Sequence, residues 1–147
     1  MQSYQRILVA EDDPAGVQLT LSALGELNLA NPIDVVDDGE GVMDYLHRRG
    51  KFETAPDGLP ILILLDLKMP KLTGLDVLRH IKSDEKLRLI PVVVLTSSRE
   101  ESDMVASYDL GVNAYVVKPV DFMEFVTTVK QLGVFWAIVN EPPPEIR

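Results

Sequence analysis

With 147 residues, no cysteine and a formal charge of −9 from 14 basic and 23 acidic side chains, the chain has the size of one domain and can hold neither disulfides nor thiolate metal sites. The acidic balance argues against direct nucleic-acid binding, which needs a basic face that displaces phosphate counterions. The longest apolar stretch, Val134 to Val139, falls far short of the roughly 20 residues of a membrane span, and Gln2 to Arg6 lead into an apolar run without the layout of a signal peptide.

Ile7 to Ala10 is the first of five short apolar runs and stops at Glu11 and Asp12. Asp13 suits an N-cap and Pro14 the first position of a helix that carries Val17, Leu21 and Leu24 on one face. The weaker second run, Ile33 to Val36, stops at Asp37 and Asp38, which read as capping residues. Asp38-Gly39 opens a second helix with Val42 and Leu46 inward, expected to close near Gly50, where the cluster from His47 to Lys51 complements the helix dipole. Residues 51–60, with Pro56, Asp57-Gly58 and Pro60, read as a loop.

The third run, Ile61 to Leu65, stops at Asp66. Met69 to Gly74 is a tight loop, and Thr73 an N-cap for a helix with Leu75, Leu78 and Ile81 inward. Pro91 opens the fourth strand, which reaches Thr96; Ser98 is expected to cap the fourth helix and Gly111 to end it as a C′ glycine. The fifth run, Ala114 to Val117, stops at Lys118, after which Asp121 caps a fifth helix. Strand and helix signals that alternate five times predict βαβ units and a parallel sheet.

In a parallel sheet all carboxyl ends share one edge, the edge where ligands bind. Glu11, Asp12 and Asp66 would repel one another there unless a cation neutralised them. Oxygen ligands without His or Cys suit Mg2+, and Mn2+ also fits. Lys118 adds a compact positive charge and Thr96 a hydroxyl, the groups that phosphoryl transfer requires. With no glycine-rich phosphate loop in the chain, the phosphoryl group is better received by a protein carboxylate.

Ile7-Leu8-Val9-Ala10-Glu11-Asp12-Asp13-Pro14, Leu65-Asp66-Leu67-Lys68-Met69-Pro70 with Thr73-Gly74, Val94-Leu95-Thr96-Ser97 and Tyr115-Val116-Val117-Lys118-Pro119 resemble the signature set of response-regulator receiver domains. The resemblance implies a flavodoxin-like (βα)5 three-layer sandwich, with a five-stranded parallel sheet in the order 2-1-3-4-5. It implies that Asp66 accepts a phosphoryl group from the histidine of a sensor kinase. Asp12 and Asp66 would bind Mg2+ directly, Glu11 mostly through water, and the Lys68 backbone carbonyl would complete the protein ligands. Lys118 would pair with the phosphoryl group and Thr96 would hydrogen-bond it. Tyr115 is similar to the switch aromatic that turns inward as the threonine moves, and Lys118–Pro119 to a cis peptide.

Two departures accompany the match. Glu11 replaces the commoner aspartate, and Lys68 is bulky and basic two residues past the acceptor. The alternatives are a haloacid-dehalogenase-type aspartyl-phosphate phosphatase, which needs a second aspartate where Lys68 stands, and a receiver-like scaffold that takes no phosphate. The receiver reading predicts a phosphoacceptor that assists its own phosphorylation and dephosphorylation, not an enzyme.

From Leu132 to Val139 the chain is apolar on every helical face, whereas a surface helix needs one stripe. Phe135 and Trp136 cannot both enter one core, so they mark a dimer or partner surface. Leu132-Gly133, Phe135-Trp136 and the proline tail are similar to the single-domain regulators paired with bacterial phytochromes. That likeness implies a homodimer through helix 4, strand 5 and helix 5, a bacteriophytochrome as the sensor histidine kinase, and a downstream protein target or phosphotransfer protein, all in the cytoplasm. The expected layout is a leader of residues 1–5, a receiver domain over 6–139 and a tail over 140–147. His47 and His80 invite a relay or metal role, but each falls in a helical region and they read as surface residues.

Overall fold

Each of the five apolar runs forms a strand in the computed structural model, which describes residues 6–25, 31–53, 59–97, 100–117, 123–124 and 127. The strands are β1 (Ile7–Ala10), β2 (Ile33–Val36), β3 (Leu62–Leu65), β4 (Val92–Thr96) and β5 (Ala114–Val117). They make one parallel sheet in the order β2-β1-β3-β4-β5. Residues of β1, β3 and β4 are all buried, because helices cover both faces of a parallel sheet and leave no solvent side for polar alternation. Strand β2 lies at an edge, and its Val35 stays exposed.

Successive side chains point to opposite faces, which divides the core in two. Leu8, Ile63, Leu65 and Val94 pack with Val42 and Leu46 of α2 (Gly39–His47) and with Val77, Leu78 and Ile81 of α3 (Gly74–Ser83). On the other face, Ile7, Val9, Leu62, Leu64, Val93 and Leu95 pack with Leu24 of α1 (Pro14–Gly25). The expected inward row of α1 is therefore uneven, with Leu24 fully buried and Val17 and Leu21 only half-buried.

Local chemistry accounts for most helix ends. Asp13 Oδ1 accepts from the Ala15 N–H at 3.2 Å, and Asp38 Oδ1 from the Gly41 N–H at 2.6 Å. Thr73 and Asp76 form a reciprocal capping box, with the Asp76 N–H donating to Thr73 Oγ1 at 3.2 Å and the Thr73 N–H to Asp76 Oδ2 at 3.4 Å. Removing this cap in Thr73→Ala is expected to cost about 1 kcal/mol, read as a lower midpoint in urea with an unchanged slope.

Two ends differ from expectation. Helix α2 closes not at Gly50 but at Arg48, which takes the left-handed conformation with φ 55°. Its side chain offsets the steric cost: Nη1 donates to the Tyr45 carbonyl at 2.9 Å, and the guanidinium lies 5.2 Å from the Tyr45 ring centroid. Gly50 instead opens a short 3-10 turn, Gly50–Phe52. Helix α4 (Glu101–Asp109) starts with Glu100 in the cap position, so Ser98, which lies outside the described residues, is not its N-cap. Gly111 follows the helix with φ 93° and its N–H donates to the Tyr108 carbonyl at 3.0 Å, the expected C′ role. Met123, Glu124 and Thr127 are helical; Asp121, expected to cap that helix, lies outside the described residues.

A polar network ties the entry of β1 to β2 and α2. Arg6 Nη2 donates to Asp34 Oδ1 at 2.8 Å, and the Tyr45 hydroxyl donates to Asp34 Oδ2 at 2.6 Å. The Arg6 guanidinium holds the Asp34 carboxyl below its usual range. Burial, reinforced by the bond to Asp34, pushes the Tyr45 hydroxyl from 10.0 up to about 12. A raised folded value means that the stability contributed by Tyr45 is complete below pH 10.0 and is lost as the pH climbs towards about 12. Tyr45→Phe is expected to cost about 1.5 kcal/mol at neutral pH. Denaturation at a series of pH values should show that the gap between the two proteins narrows over that alkaline window.

Candidate functional site

The pairing of Ala10 with Leu65 sets the next residues of the two strands, Glu11 and Asp66, beside each other. The backbone ladder continues one step beyond the strands: the Asp66 N–H donates to the Ala10 carbonyl and the Glu11 N–H to the Val36 carbonyl, each at 3.0 Å. Asp12 follows at the rim. Ligand oxygens of Glu11, Asp12 and Asp66 all lie within 4.8 Å of one another, the one such group of three among the described residues. Glu11 is 3% exposed and Asp66 6%, so two of the three negative charges are withdrawn from water while repelling each other. That arrangement is costly unless a cation compensates it. Three carboxylates with no nitrogen or sulfur donor fit a hard ion such as Mg2+ or Mn2+.

The loop after β3 holds Asp66 in place. The Lys68 N–H donates to Asp66 Oδ1 at 3.1 Å, and the flanking Leu67 and Met69 are buried. Behind the loop, the Gly74 N–H donates to the Leu67 carbonyl at 2.9 Å. A Cβ on Gly74 would stand 2.4 Å from the Asp66 carbonyl oxygen and 2.5 Å from Leu67 Cα. Gly16 of α1 plays the matching part for Glu11, since a Cβ there would meet the Glu11 carboxyl at 2.9 Å. Neither glycine emerged from the sequence as a site residue. Gly74 was visible only as a member of the family motif; the one local signal at Gly16 is that glycine is unfavourable inside a helical pattern.

Thr96, at the end of β4, is completely buried and pairs with Val117. Tyr115 pairs with Val94 and is half-buried against the core beneath the site. Lys68 Nζ reaches to 3.8 Å from Asp103 Oδ2 of α4, linking the acceptor loop to that helix. Lys118, Pro119, Phe135 and Trp136, all singled out in the sequence, lie outside the described residues.

A sequence profile of the response regulator receiver domain matches residues 7–130. The chain belongs to that family: it is a receiver of the two-component phosphorelay type. Within the family it is related to phytochrome response regulators. It is 55% identical to the solved bacteriophytochrome response regulator RtBRR, with a TM-score of 0.85 over 97% of this chain and 86% of that one. It is 38% identical to the response regulator Rcp1 of Synechocystis, over 88% of this chain and 87% of Rcp1. The Mn(2+)-bound form of Rcp1 superposes with a TM-score of 0.76 at 37% identity, over 95% and 99% of the two chains. The sheet order β2-β1-β3-β4-β5 is that of the flavodoxin-like fold expected. Among the described residues no helix is long and apolar enough to cross a membrane.

Proposed function

We propose that Asp66 accepts a phosphoryl group from the phosphohistidine of a sensor kinase, with Mg2+ or Mn2+ held by Glu11, Asp12, Asp66 and the Lys68 carbonyl. The observation that carries this reading is the group of three carboxylates within 4.8 Å at the carboxyl edge of the sheet. When bound, the cation neutralises the carboxylates and draws the phosphoryl oxygens towards Asp66. A carboxylate oxygen of Asp66 attacks phosphorus as the P–N bond to the donor imidazole breaks, so the acceptor needs no base. The Lys68 N–H fixes the carboxylate rotamer, and the Asp66 side chain, buried apart from its rim, admits the donor from one side. The Lys118 ammonium balances the new charge. Thr96 donates to a phosphoryl oxygen, and the space it vacates admits Tyr115, which carries the event to the surface formed by α4, β5 and the fifth helix. Lys118–Pro119 is taken as cis.

The likeness to bacteriophytochrome response regulators supports a bacteriophytochrome as the kinase. It also supports a homodimer through α4, β5 and the fifth helix, with Phe135 and Trp136 at its surface. The receiver would occupy residues 6–139, followed by the 140–147 tail, and would pass its signal in the cytoplasm to a target or phosphotransfer protein. Incubation with acetyl phosphate and Mg2+ tests the reading by intact mass: an adduct on the wild-type chain supports it, and its absence leaves a scaffold. Lys68→Ala is expected to shorten the life of the adduct by up to about fivefold, the range set by the ~1 kcal/mol that an exposed ion pair contributes. An unchanged dephosphorylation rate would remove Lys68 from that role.

A further inference from the structure

We propose that His47 and His80 form a second metal site, selective for a borderline transition cation such as Zn2+, Ni2+ or Cu2+, which clips α2 to α3. His47 is the last residue of α2, and His80 lies in the last turn of α3. Both helices start at the carboxyl edge of the sheet and run back along the same face, so their final turns lie at the opposite edge from Asp66. The Nε2 atoms of the two rings are 2.9 Å apart. The ring centroids are 5.1 Å apart and the planes are inclined at 79°.

Two Nε2 atoms approach this closely only when one carries a proton and the other a lone pair. A metal resolves the contact differently. The donor ring moves its proton from Nε2 to Nδ1, its other neutral tautomer, and both Nε2 lone pairs then face one cation with no net proton loss. Two Zn–N bonds of tetrahedral geometry set their nitrogens ~3.3 Å apart. The rings therefore need to part by only about half an ångström, which exposed side chains can do by small side-chain rotations. Beneath them the helices are fixed by Val42, Leu46, Leu78 and Ile81 of the common core, so the pair is presented on a rigid base.

The electrostatic setting is compatible with a cation. Asp84, four residues after His80, is held ionised chiefly by the backbone N–H groups of Leu87 and Lys86 and further by the two imidazoles. Both of those backbone bonds go to Oδ1, at 2.9 and 2.8 Å, so the carboxylate adds negative charge to the surroundings of the pair, and water completes the coordination of a cation held by the two imidazoles. The neighbouring cations are directed elsewhere: Arg48 lies over the Tyr45 ring, Arg49 pairs with Asp44, and Arg79 pairs with Asp76. Imidazole nitrogen selects later transition metals, whereas Glu11, Asp12 and Asp66 offer only hard oxygen. Saturating Mg2+ can therefore hold the acidic site while Zn2+ is offered to the imidazoles.

The test is a Zn2+ titration of the full chain by calorimetry, with saturating Mg2+ present throughout to fill the acidic site. Wild type is expected to take up one equivalent of Zn2+ and to melt at a higher temperature with it. His47→Gln and His80→Gln should each bind Zn2+ at least about tenfold more weakly and lose the shift in melting temperature. Both variants should keep Mg2+-dependent adduct formation, which reports an intact fold. In NMR spectra of wild type, substoichiometric Cu2+ should broaden the Cε1 protons of both histidines together. Wild-type Zn2+ affinity in either variant, or histidine resonances indifferent to Cu2+, would overturn the site.

Discussion

Asp66→Asn is expected to abolish the covalent phosphoryl adduct that the wild-type chain forms with acetyl phosphate and Mg2+. The amide is close to the carboxylate in shape and keeps an oxygen for the Lys68 N–H, which lies 3.1 Å from Oδ1 in the native site. What it lacks is the anionic oxygen that attacks phosphorus, so the loss is one of chemistry and not of structure. Asparagine also removes one of three mutually repelling charges, two of them buried. The variant should therefore fold at least as stably as wild type without metal, and bind Mg2+ more weakly. Intact mass and thermal denaturation on the same samples separate these effects. An adduct that survives in Asp66→Asn would place the phosphoryl group on another residue and end the assignment.

Gly74→Ala should damage both the fold and the acceptor loop. Its Cβ would lie 2.4 Å from the Asp66 carbonyl oxygen and 2.5 Å from Leu67 Cα. Both are backbone atoms of a buried segment, and neither can rotate away. Alanine brings up to about 1 kcal/mol from helix propensity and a stiffer unfolded chain. Overpacking of this kind costs about 1–3 kcal/mol and sometimes more, and here the whole acceptor loop has to move. A net loss of about 2 kcal/mol or more is expected, which lowers the melting temperature by at least roughly 4–8 °C. Because the displaced atoms belong to Asp66 itself, adduct formation should slow even well below the melting transition. A destabilised variant that takes up phosphate at the wild-type rate would make Gly74 a purely structural residue.

The two substitutions probe different kinds of legibility. Asp66 stood out in the sequence because an unbroken apolar run ended on it, and because Glu11 and Asp12 ended another such run. Gly74 did not, because the close approach that makes it necessary is between chain segments and leaves no trace in a short window. The same division runs through the fold. Asp13, Asp38 and Thr73 were readable as caps, since each satisfies N–H groups two or three residues ahead. Arg48 was not readable as the end of α2, since glycine is the default at left-handed positions and the arginine substitutes for it by its own contacts with Tyr45.

Read alone, the sequence determined the strands, most of their helices, the charge and chemistry of the candidate residues and, through its motifs, the family. These are properties of a few consecutive residues: apolar runs, caps, and an acid at a strand end. Only the tertiary structure decided which of those residues meet. The pairing of β1 with β3 sets Glu11 beside Asp66, and the packing of α2 on α3 brings two histidines read as surface residues to 2.9 Å. The physical reason is that distance across a sheet or between helices is set by which apolar faces are buried together, a balance summed over the whole core and not written in any one segment.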